Sequence, residues 1–115
     1  MKKAPIIIAH RGASAYLPEH SLAAKAMAHA MGADFIEQDV VLSKDGVAVV
    51  FHDVTLEGIT NVAEVFPNRG RNGKFYVFDF TLAELKQLNV SERFPSAENS
   101  EGSGRFPRNT GRFRL

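Results

Sequence analysis

Three clusters of polar residues stand against apolar runs. His10-Arg11-Gly12 follows residues 6–9, Glu37 and Asp39 interrupt residues 35–42, and His52-Asp53 follows residues 47–51. Carboxylates inside an apolar strand are rare unless they are paired or hold a cation. Glu37 and Asp39 are two residues apart, so on a strand both point to one face. Their like charges oppose each other's ionisation unless a cation lies between them. Two hard oxygen donors suit a divalent cation, Ca²⁺ or Mg²⁺.

Lys44-Asp45-Gly46-Val47 carries a hairpin signal, because Asp-Gly supplies the positive-φ positions of a tight turn. With Asp45-Gly46 as a two-residue loop, Asp39 falls opposite His52 on the same face, about 5 Å apart between Cβ atoms. A slip of one residue would place them on opposite faces. Taken singly, each cluster has a plain reading: a solvated strand end for His10-Arg11, a wet strand face for Glu37 and Asp39, a turn-initiating Asp after His52. Taken together, all three fall at strand ends or on one strand face, where parallel α/β folds bind ligands. His20 and His29 read as structural, the nine Phe as core.

The elements that must position these residues follow from the apolar pattern. Residues 6–9, with three Ile, fit a strand buried on both faces of a parallel sheet. Residues 21–31 fit a helix stopped by Gly32, with Leu22, Ala26, Met27, Ala30 and Met31 on one face. Residues 35–42 complete a βαβ unit. Residues 47–51 form the returning hairpin strand, 62–66 one helical turn, 68–74 a turn and 75–80 a strand. Thr81-Leu82-Ala83-Glu84 is a capping box opening a helix to about Leu88. Residues 96–115 read as a long polar, Arg-rich loop.

The 115 residues hold 14 Lys and Arg against 13 Asp and Glu, a net charge of +1, which argues against a polybasic nucleic-acid binder. Four of the arginines (Arg105, Arg108, Arg112 and Arg114) lie near the end, and the rest of the chain is net acidic. There is no Cys, hence neither disulfides nor thiolate metal sites. No apolar run is long enough to span a membrane. Met1-Lys2-Lys3 begins like a secretory signal, but the apolar stretch after it is too short to be one.

Ile8-Ala9-His10-Arg11-Gly12-Ala13-Ser14, Pro18-Glu19-His20-Ser21, Glu37-Gln38-Asp39-Val40, Lys44-Asp45-Gly46 and Phe51-His52-Asp53 together resemble the glycerophosphodiester phosphodiesterases. The nearest likeness is to the bacterial periplasmic branch, which has Glu-His-Ser/Thr where others have Glu-Asn-Ser/Thr. The resemblance implies an α/β fold, the N-terminal portion of a truncated (β/α)8 barrel. It implies hydrolysis of glycerophosphodiesters to glycerol 3-phosphate and an alcohol, by attack of a substrate hydroxyl followed by opening of a cyclic phosphate. His10 and His52 would be the acid–base pair and Arg11 would hold the phosphate. Glu37 and Asp39 would bind the divalent cation, with Glu19 beside them. Such chemistry needs charge neutralised on the phosphate oxygens and two groups that exchange protons near neutral pH.

Glu57-Gly58 departs from the Asp-Arg of many members, so a contact from that Arg is lost. A barrel needs about 250 residues. The family's third metal carboxylate, in a Glu-Ile-Lys stretch on a later strand, has no counterpart, since Glu84-Leu85-Lys86 falls in a helix. The expectation is therefore a barrel piece, inactive alone, with the helix 21–31 and the segment 75–80 left uncovered. The competing reading is a non-catalytic module that binds a phosphorylated ligand or a partner. A periplasmic setting follows from the resemblance, a cytoplasmic one from Met1 as the true start.

Overall fold

The computed structural model describes residues 4–93 and 113–115. It opens with β1 (Ile8–Ala9), α1 (Leu22–Ala30) and β2 (Phe35–Ile36), and β1 pairs parallel with β2. This is the expected βαβ unit. Ser21 caps α1, its hydroxyl accepting the Ala24 amide at 3.2 Å, and Gly32 follows the helix at φ +80°. The buried face of α1 is Ala24 and Ala28, not the expected stripe. Leu22, Met27 and Met31 are exposed, because the loop after β1 packs against the small alanines. A Cβ on Gly12 (φ +87°) would lie 2.9 Å from the Ala24 carbonyl carbon, so only glycine allows this approach.

Ile6, Ile7 and Ile8 are 68%, 58% and 62% exposed, so the run 6–9 is not buried on both faces. Among the described residues only β2 lies beside β1, and the faces meant for further elements are open.

The expected strand 35–42 is two strands. β2 pairs with β1, and β3 (Val40–Leu42) pairs antiparallel with β4 (Ala48–Val50). Between them the Glu37 amide still bonds the Ala9 carbonyl, and the Asp39 carbonyl already accepts the Phe51 amide. Glu37 and Asp39 thus occupy the stretch where the chain changes partner.

The hairpin register differs from expectation by one residue. Val40 faces Val50 and Leu42 faces Ala48, which puts Asp39 opposite Phe51 and not His52. Ser43 is the reason. Its hydroxyl accepts the Val47 amide at 2.9 Å and donates to Asp45 at 2.7 Å. The loop is closed between Ser43 and Val47 and holds three residues, with Gly46 at φ +76°.

The remaining chain wraps a core of Val49, Phe51, Leu56, Ile59, Val62, Phe75, Val77, Phe80, Leu85 and Leu88. α2 (Val62–Val65) is the expected single turn, and Asn72 and Gly73, both at positive φ, make the expected turn between Arg71 and Lys74. Residues 75–80 are not a strand. Tyr76 makes one bridge to Thr55, and Val77–Asp79 then closes into a 3-10 helix that buries Phe80. Phe75, Val77 and Phe80 are thus covered, contrary to expectation, with Phe78 left half exposed, while α1 keeps its large apolar side chains Leu22 and Met31 in solvent. The Thr81 capping box is present, but α3 spans only Leu82–Leu85. Residues 94–112 of the Arg-rich loop lie outside the described residues. Arg114 bridges antiparallel to Asn89. No described helix is long and apolar enough to cross a membrane.

Candidate active site

His10, Arg11, Glu19 and His52 line one cavity of about 460 Å³, together with Ser14, Ala15, Glu92 and Arg93. The turn after β1 supplies His10 and Arg11, the loop before α1 supplies Glu19, and the end of β4 leads to His52. Arg11 (φ +60°) and His20 (φ +61°) both adopt the left-handed region, uncommon for residues with a Cβ and concentrated at functional sites. The His20 amide donates to the Arg11 carbonyl at 2.9 Å, which ties the two turns together.

Glu37 and Asp39 reach the site through Arg11. The Arg11 amide donates to Glu37 Oε2 at 3.0 Å, and Arg11 Nε lies 3.5 Å from Asp39 Oδ2. Arg11 Nη1 donates to Glu19 Oε1 at 3.0 Å. His20, read from sequence as structural, lies against Asp39 Oδ2 at 3.1 Å with its side chain 3% exposed. Burial pushes the imidazole below its ordinary value, and the Asp39 hydrogen bond opposes this without reversing it. The ring is neutral at pH 7, and Nε2–H donates to the carboxylate. His29 is exposed on α1, as expected.

His52 Nδ1 lies against Asp53 Oδ1. Arg93 donates from Nη1 to Asp53 Oδ2 at 2.8 Å, and from Nε and Nη2 to Glu19 at 2.9 and 2.8 Å. Burial would raise the carboxyl groups of Glu19 and Asp53. The Arg93 guanidinium outweighs it at both, with help from Arg11 at Glu19 and His52 at Asp53, and both sit below the usual carboxylate range. Asp53 is therefore an acceptor, and the proton of this hydrogen bond sits on His52 Nδ1. Arg93 carried no signal in the sequence. It lies 40 residues from Asp53 and 74 from Glu19.

Among the described residues no group of three or more His, Cys, Asp and Glu is placed to hold a metal. Glu37 and Asp39 nevertheless fit part of a ligand set for a hard divalent cation. Each uses one carboxylate oxygen in the contacts above, and among the described residues the other makes no hydrogen bond. Around Arg11 and Arg93, three carboxylates (Glu19, Asp39, Asp53) face the two guanidiniums, and Glu37 accepts from the Arg11 main-chain amide.

Comparison with known proteins decides the family. The glycerophosphoryl diester phosphodiesterase family model matches residues 10–108. The chain belongs to this family. It is 48% identical to a glycerophosphodiester phosphodiesterase of Haemophilus influenzae, an alignment that covers all of this chain and 33% of that protein. A crystal structure of the Agrobacterium tumefaciens glycerophosphodiester phosphodiesterase matches with a TM-score of 0.63 and 36% identity, over 79% of this chain and 35% of that one. An Oleispira antarctica phosphodiesterase, solved with the product sn-glycerol-3-phosphate, matches with a TM-score of 0.61 and 40% identity, over 75% and 30% of the two chains. The chain thus spans about a third of the family members it matches. Its fold is α/β, a portion of the family's (β/α)8 barrel.

Proposed function

We propose that a full-length protein carrying this chain hydrolyses glycerophosphodiesters to glycerol 3-phosphate and an alcohol, with a divalent cation bound. The observation that carries this reading is the meeting of His10, Arg11 and His52 in one cavity. Arg11 spends Nη1 on Glu19 and its amide on Glu37. Its Nη2 is left to donate to a nonbridging phosphate oxygen. His52, with Nδ1–H held by Asp53, offers Nε2 as the base for the attacking hydroxyl. His10, whose ring stands open to the cavity, delivers a proton to the leaving alcohol oxygen. Glu37 and Asp39 would hold the cation, which supplies positive charge to the phosphate when bound. The remaining ligands would come from water, substrate or chain beyond these residues.

The test is release of glycerol 3-phosphate from glycerophosphocholine, with and without a chelator. Turnover that chelation abolishes and Ca²⁺ or Mg²⁺ restores is expected. Binding of the diester without turnover would instead favour a non-catalytic phosphate-binding module.

A further inference from the structure

We propose that Arg93 is a positioning residue of this site, a clamp whose guanidinium fixes Asp53 and Glu19 and, through them, His52 and Arg11. The consequence for turnover rests on the function proposed above; the clamp itself does not.

The geometry is that of a two-sided fork. Nε and Nη2 make a bidentate pair with Glu19, and Nη1 turns to Asp53. Paired N–H donors in one plane suit such a bridge, and a lysine ammonium cannot reproduce it. Glu19 then passes the constraint to Arg11 through Oε1, which both arginines share at 2.8 and 3.0 Å. Asp53 passes it to His52 Nδ1. One side chain therefore holds both ends of the cavity wall, the proposed phosphate ligand and the proposed base.

Two further observations set Arg93 apart. Gly58 stands beside Asp53, where a Cβ would be 3.7 Å from Oδ2, so position 58 offers no side chain to that carboxylate. Among the described residues, no other arginine or lysine pairs with Asp53. Arg93 also lines the cavity, yet all three of its nitrogens donate to carboxylates. Among the described residues, Arg11 commits only Nη1 of its guanidinium to a hydrogen bond. The pattern assigns substrate contact to Arg11 and support to Arg93. Glu19 makes the support necessary, since its side chain is 7% exposed and carries a charge.

The experiment compares Arg93→Ala, Arg93→Lys and wild type in the full-length protein, with two readouts. Steady-state kinetics on glycerophosphocholine should show kcat falling about 10–100-fold in Arg93→Ala, the usual cost of losing a residue that orients a functional group. KM should change less than about threefold. Arg93→Lys should recover part of kcat, and millimolar guanidinium ion should recover part of it in Arg93→Ala. Independently of turnover, ¹⁵N spectra of labelled histidine should show His52 as one Nδ1–H tautomer in wild type and as a tautomer mixture in Arg93→Ala. An unchanged His52 tautomer in a folded Arg93→Ala protein, or full wild-type kcat in Arg93→Lys, overturns the clamp. So does a rise in KM at constant kcat, which would make Arg93 a substrate ligand. A wild type without phosphodiesterase turnover refutes the proposed function, while the tautomer comparison still decides the clamp.

Discussion

The main-chain amide of Arg11 donates to the carboxylate of Glu37 at 3.0 Å, across the pair of parallel strands that β1 and β2 form. The bond helps to hold Arg11 at φ +60°, a conformation that costs about 1–3 kcal/mol for a residue with a side chain. One Glu37 oxygen therefore shapes the Arg11 turn, and under the proposed function the other would serve the cation. Asp39 spends Oδ2 on His20 and Arg11, and among the described residues Oδ1 makes no hydrogen bond.

Loss of either carboxylate should weaken the cation and the reaction together. Glu37→Ala and Asp39→Ala in the full-length protein are each expected to lower affinity for Ca²⁺ or Mg²⁺ about 10-fold or more. Calorimetric titration measures this directly. Unchanged affinity in both variants would remove these residues from the ligand set.

The two histidines should fail differently from the carboxylates. His10→Ala and His52→Ala are each expected to cut turnover about 10²-fold or more while cation affinity is largely kept. The pH–rate profile should lose one limb in each variant: the acidic limb in His52→Ala, where the base is gone, and the basic limb in His10→Ala, where the acid is gone. Near-wild-type rates in either would break the pair.

Asp53 and Glu19 make the acid range informative. Both carboxyls sit below their ordinary values, against the effect of burial, because guanidiniums face them. A carboxyl depressed in the folded state stabilises the fold fully above its unfolded value. The contribution is lost as pH falls through the folded one. Stability should therefore hold above the ordinary values of 4.5 for Glu19 and 3.8 for Asp53 and decline below them. In Arg93→Ala both titrations should move upward, and the share of the acid decline that these two groups contribute should shrink. Carboxyl ¹³C shifts followed through the acid range read the two groups separately, and midpoints that stay put would contradict the pairing.

How much of this was readable from sequence depends on the range of each interaction. The caps and the βαβ unit are written in local spacing, and the structure keeps them; His10, Arg11 and His52 meet in one cavity, while Glu37 and Asp39 fall between two strands and not within one. The pairing of Asp39 with His52 failed because register depends on how one loop closes. The Ser43 hydroxyl spends itself on Val47 and Asp45, adding a residue that the Asp-Gly signal does not show. Residues 75–80 alternate like a strand, but their contacts with residues 54–56 come from the far side of the turn at 71–74. Arg93 was invisible for the same reason. A side chain that meets its partners 40 and 74 residues away leaves no period to read. His20 was closer to reach, since it lies within the Pro18-Glu19-His20-Ser21 motif that carried the family resemblance.

The exposure of the β1–α1–β2 unit leads to a last expectation, for the 115-residue chain by itself. Its core lies between the β3–β4 hairpin and residues 56–91, and Leu56, Val62, Phe80 and Leu88 are each fully buried. The first strands lack such cover: Ile6, Ile7, Ile8 and Phe35 are all more than half exposed. Apolar area left in water forgoes about 25 cal/mol per Å² of stabilisation, and an open sheet edge invites pairing with other chains. The two regions should therefore separate in amide exchange. Amides of Phe51, Leu56, Thr60 and Leu88 should be protected together. Those of Ile7, Phe35 and Glu37 should exchange fast, because their bonds stand on that open unit. The chain should also bind an apolar dye at neutral pH, self-associate as its concentration rises, and release no glycerol 3-phosphate above background. Uniform protection across both regions, with no dye binding, would mean that residues 4–36 are covered in solution by something other than the elements described.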